Sequence, residues 1–334
     1  MKPTSAPIKS LHHGVAFNAG YRESWRSYLN AHSHDAIEAM FVTLTQGMDP
    51  LSVETCRYQL DLMPYFFPHP ILNEMMYLEG MERRLLSVEM AASLKGFGFF
   101  KNEAALIGKM QAELGLPEPP LPEFLTDSGL GYIREAARKF IARRVVVDAG
   151  AYIGDSARLF QKRYRAGKVL ALEPDPVNFS RMSQLVSDWK AGDCIVPVLA
   201  ATGREAGELK IWGSGVGVSS IMKSGQEEKD AARVPMMAID DLVAWHRARN
   251  VAMIKLDVEG AEYDTILGAE RTIREQRPLL LISLYHTARD FFEIKPLLES
   301  WDLGYSFMVR KLTPDFIKEF VLIAMPEEMV GPDA

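Results

Sequence analysis

Six residues of this 334-residue chain have the type and spacing to do chemistry. Asp148 ends the apolar run "VVVD", and Glu173 ends "KVLALE" 25 residues later. Lys255, Asp257 and Glu259 alternate within "MIKLDVEG", and His286 closes "PLLLISLYH". Each stands at or near the end of a run that reads as a buried strand. In an open α/β sheet the carboxyl ends of the strands are where ligands bind. Gly150 and Gly154 let the chain after Asp148 turn tightly and approach a ligand closely. The spacing is D-x-G-x-x-x-G, neither the G-x-G-x-x-G fingerprint nor G-x-x-x-x-G-K-[ST]. A carboxylate there would repel a pyrophosphate and suit a cation or amine donors. An acid at the position of Glu173 can accept hydrogen bonds from a ribose diol. Pro174 and Pro176 stiffen the turn after it.

Alone, either acid would read as a helix cap or a surface ion pair. Two of them on neighbouring strand tips point to a site. In "MIKLDV" alternation puts Lys255 and Asp257 on one face of the strand. Such a pair is costly to bury unpartnered, so it is either a structural ion pair or part of the chemistry. Glu259 follows, and Gly260 breaks the alternation. His286 is the one histidine of seven at such a strand end. Asp257, Glu259 and His286 could also hold a divalent cation; this is the less favoured alternative. His32 and His34 lack further ligands in register.

The elements that must position these groups fall into two kinds. Residues 1–116 read as a helical domain. In "HDAIEAMFVTLTQ" Ile37, Met40, Phe41 and Leu44 recur at helical spacing. Asp49 with Pro50 opens another helix, a Met- and Leu-rich stretch runs from Ile71 to Leu94 with Gly96 as its stop, and Asn102 is placed to cap a helix that ends at Gly115. The proline-rich stretch at residues 117–129 marks a boundary, either a linker or an ordered strap over a pocket. Residues 130–334 alternate strands and helices: "RVVVDAG", "KVLALEP", "CIVPVLA", "MIKLDV" and "LLLISLY" are near-continuous apolar runs, as in a parallel sheet covered on both faces. "LKIWG", "SSIM" and "RVPMMAI" add short strands, and "YSFMVR" with "FVLIAMP" close the sheet.

Bulk properties narrow the partners. The formal net charge of −6 argues against nonspecific nucleic-acid or anionic-membrane binding. Two distant cysteines exclude a disulfide framework and suit a reducing cytoplasm. No signal peptide is expected from "MKPTSAPIKS", and no apolar run approaches the ~20 residues that span a bilayer. The sequence carries no signal for an oligomeric state.

A ligand with a nucleoside and an ammonium but no phosphate is S-adenosylmethionine. "VVVDAGAYIGDS", "KVLALEPDPVNF" and "MIKLDVEGAEYDTILGA", in that order, resemble the FkbM-type S-adenosylmethionine-dependent methyltransferases. The resemblance covers residue 130 onward, and its third motif is the most specific. It implies a class I, Rossmann-like methyltransferase fold: doubly wound, mostly parallel, with an antiparallel last strand, preceded here by the helical domain. It implies cofactor contacts from Asp148, Gly150, Ala151, Tyr152, Gly154 and Asp155, from Glu173 and Pro174, and from Ala200 and Ala201 beside the adenine. Tyr152 stands where many members have Asn. The resemblance suggests O-methylation of a hydroxyl on a small molecule, sugar or natural product. His286 or Asp257 would then accept the hydroxyl proton and Lys255 would steady the oxyanion, with no metal required. The rivals are a non-catalytic S-adenosylmethionine-binding protein and a nicotinamide-dependent dehydrogenase.

Overall fold

A computed structural model describes residues 19–66, 86–212, 231–314 and 319–330. Ten strands follow one another as β1 (Val145–Ala149), β2 (Lys168–Leu172), β3 (Ile195–Val198), β4 (Ala201–Thr202), β5 (Gly207–Trp212), β6 (Ala231–Met237), β7 (Val251–Leu256), β8 (Leu279–Ser283), β9 (Tyr305–Lys311) and β10 (Phe320–Pro326). Seven of them form one sheet in the order β3-β2-β1-β7-β8-β10-β9. β3, β2, β1, β7 and β8 pair in parallel, while β10 runs antiparallel to both β8 and β9. The chain reverses its direction of travel across the sheet between β1 and β7, so the switch point lies between Asp148 and its register partner Lys255. This is the doubly wound sheet with an antiparallel last strand that the resemblance implies. β4, β6 and β5 form a separate small sheet; "SSIM", residues 219–222, lies outside the described residues.

The central strands read as continuous apolar runs because both faces are covered. Val147, Leu170, Ile254 and Ile282 face one buried cluster, and Val146, Val169, Met253 and Leu281 face the other. The N-terminal helices share these clusters. Trp25, Phe41, Leu44 and Cys56 join the first; Met90, Leu94, Met110 and Leu114 join the second. A polar clamp fixes the helix Pro50–Phe66 to β9: Arg310 pairs with Asp49 at 3.1 Å, and the Ser52 Oγ accepts from Val309 N at 3.0 Å.

Local chemistry sets the helix ends. Gly115 adopts the left-handed conformation that ends the helix Glu103–Leu114, as its position predicts. Asn102 precedes that helix but makes no side-chain cap bond, which corrects its expected role; its own backbone ψ of 13° is outside the extended region that capping uses. Of the Ile71–Leu94 stretch, the part through residue 85 lies outside the described residues, and the helix Val88–Gly96 carries the rest.

The proline-rich stretch is an ordered strap. It leads into a 3-10 segment, Pro122–Ile133, with Phe124, Leu125 and Leu130 buried. Arg158 donates to Leu114 O at 3.0 Å, Trp189 Nε1 to Gly115 O at 2.9 Å, and Arg181 to Glu118 at 3.0 Å. Asp127, fully buried, accepts from Tyr164 at 2.7 Å and from Arg134 at 3.1 Å, and pairs with Arg163. The strap is thus tied to the helices that follow β1 and β2.

Candidate active site

β1 delivers Asp148 to the carboxyl edge, and the chain then turns through Gly150 at φ +79°, Tyr152 at +49° and Gly154 at +84°. Gly150 N and Ala151 N both donate to Leu172 O, at 3.0 and 2.9 Å, which presses the loop onto the end of β2. Glu173 completes that bracket. Its Oε2 accepts from Tyr152 N and its Oε1 from Asp175 N, each at 2.9 Å. Tyr152 therefore contributes its main chain to the loop, while its phenol lies against Arg181 and Glu118. Asp148 Oδ2 accepts at 2.6 Å from Oγ of Ser156, the second residue of the helix Asp155–Tyr164. Asp155, at the first helical position, accepts from Ser156 N at 2.9 Å. Ala200 and Ala201 are buried beyond β3, whose last carbonyl, on Val198, accepts from both Glu173 N and Ala200 N.

Burial governs the proton affinities here. It raises Glu173 to about 7 against the backbone donors on it, raises Asp155 to about 6, and raises Asp148 despite the opposing pull of Lys255. A ligand that brings a cation or hydrogen-bond donors to such carboxyls favours their charged form.

The other half is built on β7 and β8. Lys255 Nζ lies 3.6 Å from Asp148 Oδ1 and 3.7 Å from Asp257 Oδ2. Asp257 N donates to Ala149 O at 3.1 Å, and a Cβ on Gly150 would stand 1.9 Å from Asp257 O. Only glycine allows the two loops to meet. The chain then turns through Glu259 at φ +59° and Gly260 at +102°. Glu262, fully buried, holds this turn: its two oxygens accept from Val258 N and Gly260 N, each at 2.9 Å. It also meets His286 Nδ1 at 2.7 Å. The far ring nitrogen of His286 lies 3.7 Å from Asp257 Oδ1 and 3.6 Å from Glu259 Oε2. Tyr285 donates its hydroxyl to Asp257 Oδ1 at 3.2 Å.

Mutual attraction, rather than burial, decides the charges on this side. Burial pulls His286 down, but Glu262, Glu259 and Asp257 outweigh it and lift it to about 10. Burial raises Asp257, yet Lys255 and His286 overcome that and leave it lowered. Lys255 is raised by Asp257 and Asp148 in the same contest. These carboxylates favour the protonated ring of His286, whereas the role of proton acceptor considered for it needs the neutral ring. A protonated ring donates; it cannot take a hydroxyl proton.

All six residues read from the sequence meet at this edge. Glu262, Tyr285 and Ser156 were missed. Glu262 had a signal, an acid directly after the glycine turn of "DVEGAE" and ahead of a helix. Among the described residues, ligand atoms of Asp257, Glu262 and His286 lie within 4.8 Å of one another; Glu262, not Glu259, completes this compact set. Two of its members already bond each other.

The strand order and the acid-ended β1 and β2 define a class I, Rossmann-like methyltransferase fold. Residues 148–307 match the family described as the methyltransferase FkbM domain. A curated protein, "Methyltransferase 1" from Beauveria bassiana (strain ARSEF 2860), is 27% identical over 204 residues, covering 54% of this chain and 80% of that one. The crystal structure of Methyltransferase FkbM from Methylobacillus flagellatus KT superposes with a TM-score of 0.53 at 20% identity. That match covers 91% of this chain and 62% of the other, so the chain spans less than two thirds of that protein's length. The likeness is one of fold.

Proposed function

We propose that the protein is an S-adenosylmethionine-dependent O-methyltransferase acting on a hydroxyl of a small molecule, a sugar or a natural product. One observation carries the reading: Asp148 and Glu173 end adjacent strands around a glycine loop, and Lys255 links Asp148 to the Asp257–Glu259–His286 group. Glu173 has lone pairs left for the ribose hydroxyls beyond the two backbone donors it accepts. Asp148 and Asp155 supply negative charge for a cationic donor. S-adenosylmethionine, when bound, supplies a methyl group already activated by its sulfonium.

The acceptor approaches from the β7–β8 side. Asp257, a third exposed, takes the hydroxyl proton as the oxygen's lone pair turns to the methyl carbon. Lys255 and the His286 imidazolium face the charge that develops on that oxygen. The helices Ala19–Asn30 and His34–Thr45 pack against the helix Ala288–Ser300 and brace this side. Among the described residues no helix is long and apolar enough to cross a membrane; the proposed partner is a small hydroxyl-bearing molecule in the cytoplasm.

Two measurements test this. Titration calorimetry should show binding of S-adenosylhomocysteine and none of NAD. Mass spectrometry of hydroxyl-bearing metabolites, incubated with labelled donor, should show the gain of one methyl. Tight NAD binding, or no binding of either donor form, overturns the reading; methyl gain on amines alone moves the acceptor class to nitrogen.

A further inference from the structure

We infer that Trp25, on the N-terminal helix Ala19–Asn30, is a positioning residue for the acceptor side and acts through the main chain of Tyr285. Trp25 is fully buried, and its indole Nε1–H donates to Tyr285 O at 3.2 Å. That carbonyl belongs to the peptide joining Tyr285 to His286. One side chain of the pair donates to Asp257, and the other is held by Glu262. Their rings lie 4.1 Å apart, and the two side chains branch from either end of this one peptide.

The location matters. β8 ends at Ser283, Leu284 N still bonds Phe320 O at 2.9 Å, and the next helix, Ala288–Ser300, begins after Thr287 caps it. Tyr285 and His286 occupy the gap between ladder and helix, where neither repeating pattern dictates the backbone. Besides the Tyr285 carbonyl, the helix Ala19–Asn30 grips the helix that follows the gap. The Trp25 ring stands 5.5 Å from that of Phe291, Tyr28 stacks on Phe292 at 5.8 Å, and the Tyr28 hydroxyl donates to Glu293 at 2.9 Å. Packing alone would be served by any large apolar side chain. The indole adds one directed donor, and it points at the carbonyl between the two site residues.

This rests on the proposed reading of Asp257 and His286 as acceptor-side groups. The test uses the full chain with labelled histidine and follows the His286 ring nitrogens by NMR. The charged groups facing His286 are Asp257 and Glu259 from the turn after β7, Glu262 at the start of the helix Glu262–Leu267, and Asp290 from the helix Ala288–Ser300. Trp25→Phe keeps an aromatic ring and removes the donor. It should change the proton affinity of His286 by roughly threefold or more, in line with the loss of one hydrogen bond. Affinity for S-adenosylhomocysteine should stay at the wild-type value, because Glu173 and Asp148 are untouched. Phe291→Leu loosens the same packing but keeps the bond, and should leave His286 unmoved. A benzothienyl isostere at position 25 keeps the shape of tryptophan without the N–H, and gives the answer if Trp25→Phe disturbs the fold. A wild-type His286 signal in the isostere, or an equal shift in Phe291→Leu, overturns the inference. Failure of the wild-type protein to bind S-adenosylhomocysteine would instead overturn the proposed function and leave the effect of Trp25 on His286 still readable.

Discussion

At the tips of β1 and β2, Asp148, Asp155 and Glu173 are carboxyls whose proton affinity burial has raised; at the tips of β7 and β8, Asp257 lies between two cations and is held low. The first half is made of main-chain donors, glycines and acids, of which Asp148 alone shares Lys255 with the second half. The second is already neutralised internally by Lys255 and His286. On the proposed reading, the donor side is tuned mainly by what binds to it and the acceptor side by its own ion pairs. Substitutions in the two halves should separate cleanly into changes of affinity and changes of rate or stability.

The largest effect should follow Asp257→Asn. Loss of a general base typically costs ~10²–10⁴ in rate. Single-turnover methylation should show that loss, while affinity for S-adenosylhomocysteine stays at the wild-type value. An affinity that falls with the rate would break the separation.

Glu262→Ala comes next, and its effect is on stability. Removing one partner of a buried ion pair costs about 3–5 kcal/mol, and two backbone donors lose their acceptor as well. Urea denaturation measures it. The sign with pH sharpens the test. The proton affinity of His286 is raised in the folded protein, so its contribution is full below the unfolded value, near ~6.5, and fades as pH rises through about 10. Wild type should lose stability across that window, and Glu262→Ala should lose much less.

The smallest effect belongs to the donor side. Glu173→Ala should weaken S-adenosylhomocysteine binding by about 1.5–3 kcal/mol, and should destabilise the fold less than Glu262→Ala because two backbone donors lose their acceptor but no ion pair is broken. The hydroxyls of a ribose donate to the charged form of Glu173. Wild-type affinity should therefore rise with pH through about 7 and level off above it. Calorimetry on Glu173→Gln should find that rise gone. If it persists, Asp155, raised to about 6, is the group that titrates.

Much of the donor side was legible because its signals are local. β1 and β2 are apolar on both faces, so they read as continuous runs, and Asp148 and Glu173 interrupt them at their ends. The acceptor side was legible in part. Lys255 and Asp257 stood out because charges in a buried strand are costly. The charge state of His286 was not legible, because it depends on Glu262, which reaches back from the next helix. Tyr285 read as the last residue of a strand, yet β8 ends at Ser283, and the two residues that follow Leu284 turn toward Asp257 and Glu262. Trp25 lies 260 residues from its partner, and no periodicity reaches that far. The proline-rich stretch told of a break in helix and nothing of the ion pairs that pin it, since those depend on Arg163 and Arg181 in helices formed later in the chain.

Gly150 and the carbonyl of Asp257 touch where the two loops meet, and that contact has no side chain on either side. An interface made only of main chain does not record which residues flank it. On the proposed reading, replacements at Glu259, at Tyr285 or along the helices beside β8 can therefore accumulate without shifting the seat of the donor. A lineage could trade one acceptor for another while the glycine at position 150 stays fixed, and the joint would act as a standard coupling between an invariant tool and an exchangeable grip.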